Sequence, residues 1–125
     1  MPSDKFTSFM PDALALAQKA GDLGEVPVGA VVIHNGKIIG SGHNLTRTDT
    51  DPSAHAEIVA IRAAALHLQS ERLDGCDLWV TLEPCTMCAG AIAHARIRRL
   101  YYAAADPKGG AVDSGVQFFA NPACH

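Results

Sequence analysis

No stretch of this sequence stays apolar for more than six residues, the longest being 100–105. A helix that crosses a membrane needs about 20, so no membrane partner is expected. Residues 1–10 hold neither a basic cluster nor an apolar core of the kind that opens a secreted protein, which points to a cytoplasmic location. Positive charge is also scarce. Ten Lys and Arg against thirteen Asp and Glu leave a formal net charge of −3, so no global field draws the protein to a polyanion. Any such attraction must be local, and Arg96, Arg98, Arg99 and Lys108 form the cluster that would supply it; the plainer alternative is a solvated or ion-paired strand face. The four cysteines (Cys76, Cys85, Cys88, Cys124) allow at most two disulfides, and with no other sign of secretion they read as reduced. Repeats and low-complexity segments are missing, and 125 residues leave no room for a second domain. The expectation is one domain over residues 1–125, with 48% apolar residues to build its core.

What is present divides into alternating elements. Residues 11–20 are rich in Ala and Leu and end at Gly21, which predicts a helix with Pro11 in its first turn. Residues 26–34 and 37–43 read as strands, and Asn35-Gly36 between them is the strongest short hairpin signal a sequence offers, so the pair should be antiparallel. A polar loop follows over 44–51. Asp51-Pro52-Ser53 then supplies cap chemistry for a helix running to about Leu68. Residues 78–82 read as a buried strand, Pro84 suits the opening of a helix that carries both Cys85 and Cys88, and 97–105 resumes as a strand. Strand, helix and strand in succession imply a crossover and a parallel pair. The sum is a mixed sheet with a hairpin at one side and helices on its faces.

The residues that carry chemistry are His55-Ala56-Glu57 and, beginning 26 residues after Glu57, Glu83-Pro84-Cys85-Thr86-Met87-Cys88. His55, Cys85 and Cys88 are ligand types that zinc favours, and three protein ligands leave the fourth tetrahedral position for water, as in a catalytic rather than a structural site. On a regular helix Cys85 and Cys88 lie roughly 300° apart in rotation, which puts their sulfurs on one face, while His55 and Glu57 lie roughly 200° apart and would diverge. His55 is therefore expected at a helix start, and Glu57 as an acid/base outside the ligand set that moves protons from water to a ring nitrogen and to departing ammonia. His-x-Glu followed by Pro-Cys-x-x-Cys is the general pattern of zinc nucleobase deaminases. Cys85 and Cys88 by themselves would also suit a thioredoxin-like redox site, which has no need of His55 or Glu57. A non-catalytic zinc module would require a fourth ligand, for which His43, His67, His94 and Cys76 qualify by residue type only; Cys124 and His125 could chelate a metal adventitiously.

Several segments together carry a closer resemblance. They are Glu25-Val-Pro-Val-Gly-Ala-Val, Asn44, Ala54-His-Ala-Glu-Ile-Val-Ala-Ile-Arg, Val80-Thr-Leu-Glu-Pro-Cys-Thr-Met-Cys-Ala-Gly, Arg96-Ile-Arg-Arg and Asp106-Pro-Lys-Gly-Gly-Ala-Val-Asp-Ser-Gly. With them the chain resembles bacterial tRNA-specific adenosine deaminases of the TadA type, within the cytidine deaminase-like zinc superfamily. The resemblance implies a three-layer α/β/α cytidine deaminase-like fold whose mixed central sheet has an antiparallel hairpin and parallel later strands. It implies a homodimer, a tRNA substrate, and hydrolysis of adenosine to inosine at the wobble position of the anticodon. It also implies one zinc per chain on His55, Cys85 and Cys88, and Glu57 as proton shuttle. Asn44 would hydrogen-bond the flipped nucleotide, Val26 and Pro27 would line the base pocket, Ala56 would also bind substrate, and Asp106 would approach the nucleic-acid backbone. The family normally continues with a further strand and helix, so a domain shortened at its C-terminus is expected. A deaminase of free guanine, cytosine or a nucleoside is the alternative within the same chemistry.

Overall fold

Asn35 and Gly36 both adopt positive φ, 51° and 74°, the two left-handed positions that a tight hairpin turn demands. β1 (Gly29–His34) therefore folds back antiparallel on β2 (Lys37–His43), in register from His34↔Lys37 to Gly29↔His43 with one slip between Val32 and Ile33. The computed structural model describes residues 6–120. α1 (Met10–Asp22) precedes the hairpin, and α2 (Ala56–Leu68), β3 (Asp77–Leu82), α3 (Thr86–Ala95) and β4 (Arg99–Ala104) follow it. β3 pairs antiparallel with β1 and parallel with β4, giving the sheet order β2-β1-β3-β4. This is the expected mixed sheet.

Alternation along the strands builds two cores. Ala30, Val32, Leu78 and Val80 face a layer that includes Ala56, Ala60, Leu73 and Ile92. Full burial of side chains such as Leu73, Leu78 and Val80 contributes about 1.5–3 kcal/mol each. Val31, Ile33 and Trp79 point the other way, against Phe9, Met10 and Leu16, and Trp79 stacks on Tyr101 with ring centroids 4.1 Å apart. Helix, sheet and helix thus form the three layers.

α2 lies unusually close to β2. Ala56, Ala60 and Ala64 recur every four residues and are fully buried. A Cβ at Gly40 would sit 2.5 Å from the Ala60 carbonyl oxygen, and one at Gly42 would sit 2.7 Å from Val59 Cβ. Small residues on both sides bring the helix onto the strand, which sets the position of the α2 N-terminus.

Several boundaries differ from expectation for local reasons. β1 starts at Gly29 and not at 26, because Pro27 has no N–H for the ladder and the Val28 N–H closes a turn onto the Val26 carbonyl at 2.8 Å. Asp51 does not cap α2: its Oδ1 accepts from the Ser53 N–H and hydroxyl at 2.9 and 2.7 Å in a turn of its own, and the helix begins at Ala56. β4 begins at Arg99, since Arg96 ends α3 at φ 63° and the N–H groups of Ile97 and Arg98 bond back to Ile92 and Cys76. Finally, α3 begins at Thr86 with Cys85 as its N-cap, so Cys85 is not a helical residue.

Candidate active site

The N-termini of α2 and α3, the entry to β1, the end of β2 and the ends of β3 and β4 all meet at one end of the sheet. His55 caps α2 at φ −72°, ψ 155°, and Cys85 caps α3 at φ −75°, ψ 176°; both keep extended backbone where the helix is about to begin. His55 therefore lies at the helix start, as its offset from Glu57 requires. The two sulfurs meet because Cys85 approaches from an extended cap while Cys88 sits in the first turn, and not because both share a helical face. His55 Nδ1 lies 3.6 Å from Cys85 Sγ and 3.5 Å from Cys88 Sγ. A tetrahedral zinc with ordinary bond lengths to sulfur and nitrogen has sulfur–nitrogen edges of roughly 3.6 Å, so the donor set fits that ion without rearrangement.

The electrostatics agree. A hydrogen bond from the Cys88 thiol, helped by the backbone N–H groups of Cys88 and Met87 and by His55, lowers the Cys85 thiol to about 5 against the effect of burial. The same shared hydrogen bond, together with burial and the nearby Glu57, pushes Cys88 up. A divalent cation between the sulfurs relieves that conflict. Among the described residues no further His, Cys, Asp or Glu joins this group. His67 and His94 lie in the last turns of α2 and α3, His43 bonds the Asn44 carbonyl through Nδ1 at 3.0 Å, and the Cys76 thiol lies 3.8 Å from the Asp74 carbonyl. Cys124 and His125 fall outside the described residues.

A cavity of about 320 Å³ opens beside the ligands, at the small end of ligand pockets. Glu57 reaches it from the first turn of α2 and is only 4% exposed. Burial pushes its carboxyl up, and the Cys85 charge adds to that while its own N–H at the helix start opposes it. Val26, Asn44 and Asp106 line the same cavity; Pro27 and Ala56 do not, Pro27 standing in the turn before β1 and Ala56 being fully buried. Ala56 acts through its backbone: its N–H donates to Asn44 Oδ1 at 2.9 Å. That bond leaves the Asn44 amide N–H groups for a ligand, so Asn44 both clasps the helix and lines the cavity. Asp106 Oδ1 accepts from the N–H groups of Lys108 and Gly109 at 3.2 and 3.0 Å, closing its own turn. Of the basic cluster, Arg98 is engaged with Asp77 through two 3.0 Å bonds, while Arg99 and Lys108 are exposed.

Known proteins are similar to this chain. The cytidine and deoxycytidylate deaminase zinc-binding region matches residues 3–104. A tRNA-specific adenosine deaminase of Agrobacterium fabrum is 60% identical over 119 residues, covering 95% of this chain and 78% of that protein. The chain belongs to the tRNA-specific adenosine deaminase family. A solved structure from work on A-to-I editing by tRNA:A34 deaminases at the wobble position of transfer RNA superposes with TM-score 0.92 at 60% identity, covering 94% of this chain and 90% of that one. A guanine deaminase from Bacillus subtilis lies further off, at TM-score 0.76 and 44% identity, with 78% of this chain and 62% of that one covered.

Within this adenosine deaminase-family fold, two buried glutamates, Glu83 and Glu25, have roles that their place in the sequence motifs does not reveal. Glu83, 3% exposed, accepts at Oε1 from the Asp106 N–H and the Ser114 hydroxyl, both at 3.0 Å. At Oε2 it accepts from the N–H groups of Val112, Asp113 and Ser114 at 3.0, 2.9 and 2.9 Å. Burial would push its carboxyl up, but these bonds hold it down at about 2. Glu25, 5% exposed, accepts from the N–H and hydroxyl of Thr48, both at 2.7 Å, and from the Arg47 N–H at 3.2 Å. Thr46, in the loop that Glu25 holds, and Gly109, in the loop that Glu83 holds, both line the cavity. Gly109-Gly110 was the one available signal, since paired glycines mark close backbone approach.

Proposed function

We propose that residues 1–125 are a single zinc-dependent deaminase domain that hydrolyses adenosine to inosine at the wobble position of a tRNA anticodon, acting as a cytoplasmic homodimer. The observation that carries the substrate assignment is the 60% identity and TM-score of 0.92 to the wobble-position tRNA deaminase structure. No described helix is long and apolar enough to cross a membrane, which is compatible with that setting.

His55 Nδ1 and the sulfurs of Cys85 and Cys88 hold the metal. Bound there, zinc supplies the Lewis acidity that brings the ionisation of a water into the neutral range. Glu57 takes the proton from the attacking water on a carboxylate oxygen and passes it to the ring nitrogen beside the attacked carbon of adenine; it then assists proton transfer to the departing ammonia, so one water is consumed and one ammonia released. Burial raises the Glu57 carboxyl, which favours its holding a proton between the two transfers. Asn44 turns its amide N–H groups, and Val26 an apolar side chain, toward the flipped base, while the turn at Asp106 forms part of the cavity wall. A base already unpaired in an anticodon loop costs little to extrude, and its neighbours add binding that a free nucleoside lacks.

The likeness to a guanine deaminase keeps a second reading, a free-base deaminase, in play. Incubation with total tRNA, an anticodon stem-loop, adenosine, guanine and cytosine, with assay of inosine and ammonia, separates the two. Inosine forming at the wobble position faster than any free base turns over is the expected result. Guanine or cytosine turning over fastest would overturn it.

A further inference from the structure

We propose that Glu83 is a positioning residue whose carboxylate holds residues 106–114 in place as one wall of the cavity, and so sets the affinity for the substrate without entering the proton transfers. The proposal rests on the tRNA reading above. Five donors from four residues converge on one buried carboxylate, at the start of the loop (Asp106) and again at its far side (Val112 to Ser114), all within 3.0 Å. Filling space in the core requires no such array. Glu83 also lines the cavity, together with Asp106 and Gly109.

The loop is wrapped tightly on this side chain. A Cβ at Gly110 would sit 2.4 Å from Glu83 Cδ and 2.6 Å from the Asp106 carbonyl oxygen, so residue 110 must be glycine for the loop to close. The Ala111 N–H donates to the Pro84 carbonyl at 2.9 Å, which ties the same loop to the segment leading into Cys85. A substrate bound beside the metal would meet a wall whose place depends on one residue two positions from a ligand.

Only a carboxylate can accept at both positions at once. In Glu83→Gln an amide nitrogen must replace one oxygen. At the Oε1 position it can donate to the Ser114 hydroxyl but faces the Asp106 N–H donor to donor, whereas at Oε2 it faces three N–H groups. The first placement is less unfavourable, so the variant should free the Asp106 end of the loop first. Gly110→Ala displaces the carboxylate without changing its charge, and keeps the question open to measurement should Glu83→Gln not fold.

The test compares wild type, Glu83→Gln and Gly110→Ala by zinc content, amide hydrogen exchange over 106–114, and steady-state kinetics on an anticodon stem-loop. The expected result is one zinc per chain throughout, exchange faster by about tenfold or more in that loop, and a rise in KM of about tenfold with kcat within about threefold. Unchanged exchange and KM in both variants would overturn the proposal, and so would zinc loss with a fall in kcat at constant KM. A wild-type protein without tRNA turnover would instead overturn the tRNA reading, and the exchange measurements would then decide the role of Glu83 alone.

Discussion

The two sides of the cavity are built on different principles. On the metal side, His55, Glu57, Cys85 and Cys88 sit on or just before the first turns of α2 and α3, and the positions of those helices follow from packing, such as the contact of Ala60 and Ala64 with Gly40. On the other side, the loops bearing Thr46 and Asp106 have no packed element of their own and are held by hydrogen bonds to the carboxylates of Glu25 and Glu83. The helical side places chemical groups to within bond-length tolerance. The loop side lines the cavity, and its support is electrostatic and therefore sensitive to substitution and to pH. Changes on the helical side should abolish turnover outright, whereas changes on the loop side should alter affinity and stability.

The largest effect is expected for Cys88→Ala, which leaves two protein ligands: zinc content should fall toward zero and activity to background, as metal analysis and inosine assay would reveal. Retained stoichiometric zinc would mean that the ion is held elsewhere. Glu57→Gln should come next, keeping zinc and fold while kcat drops by about 10² to 10⁴, since the amide fills the same space but cannot carry a proton. A variant with half the wild-type rate would remove Glu57 from the mechanism. Asn44→Ala crosses between the two sides. It takes away the acceptor for the buried Ala56 N–H at the start of α2, so urea denaturation should register a loss of about 1–3 kcal/mol, with a rise in KM from loss of the proposed base contact. An unchanged midpoint would show that water replaces the bond.

The smallest effect concerns the loop side alone. The Thr48 hydroxyl and the N–H groups of Thr48 and Arg47 lower the Glu25 pKa below its ordinary 4.5 against the opposing effect of burial. A carboxyl depressed by folding contributes stability above its unfolded pKa and loses that contribution as pH falls through the folded value. Wild type should therefore melt higher than Glu25→Gln at neutral pH, and the gap should narrow steadily once pH drops below 4.5. A gap independent of pH would mean that the Glu25 charge is not what holds the loop.

The same division explains what could be read from the sequence. The hairpin was legible because Asn35-Gly36 has few alternatives, and the parallel β3–β4 pair because a strand, helix and strand leave little other choice. The gathering of His55, Cys85 and Cys88 into a group able to hold a metal was legible because side-chain identity is itself the chemistry of a ligand. Cys85 was misplaced inside α3 because a residue beside a proline reads alike as an N-cap or a first-turn residue. The wall loops were not legible at all. Their partners on Glu25 and Glu83 are mostly backbone N–H groups, which every non-proline residue carries and no residue letter distinguishes.

Every group of the candidate site gathers at one end of the sheet, and among the described residues none of them lies at the opposite end. Its Asn35-Gly36 turn is exposed, and the 69–75 connection is largely so. Exposed turns of small and polar residues tolerate added sequence best. A peptide tag, a fluorophore attachment point or a fused RNA-targeting module inserted at residues 35–36 would sit a full strand length from the metal ligands. This makes that turn the natural attachment point for building on this deaminase.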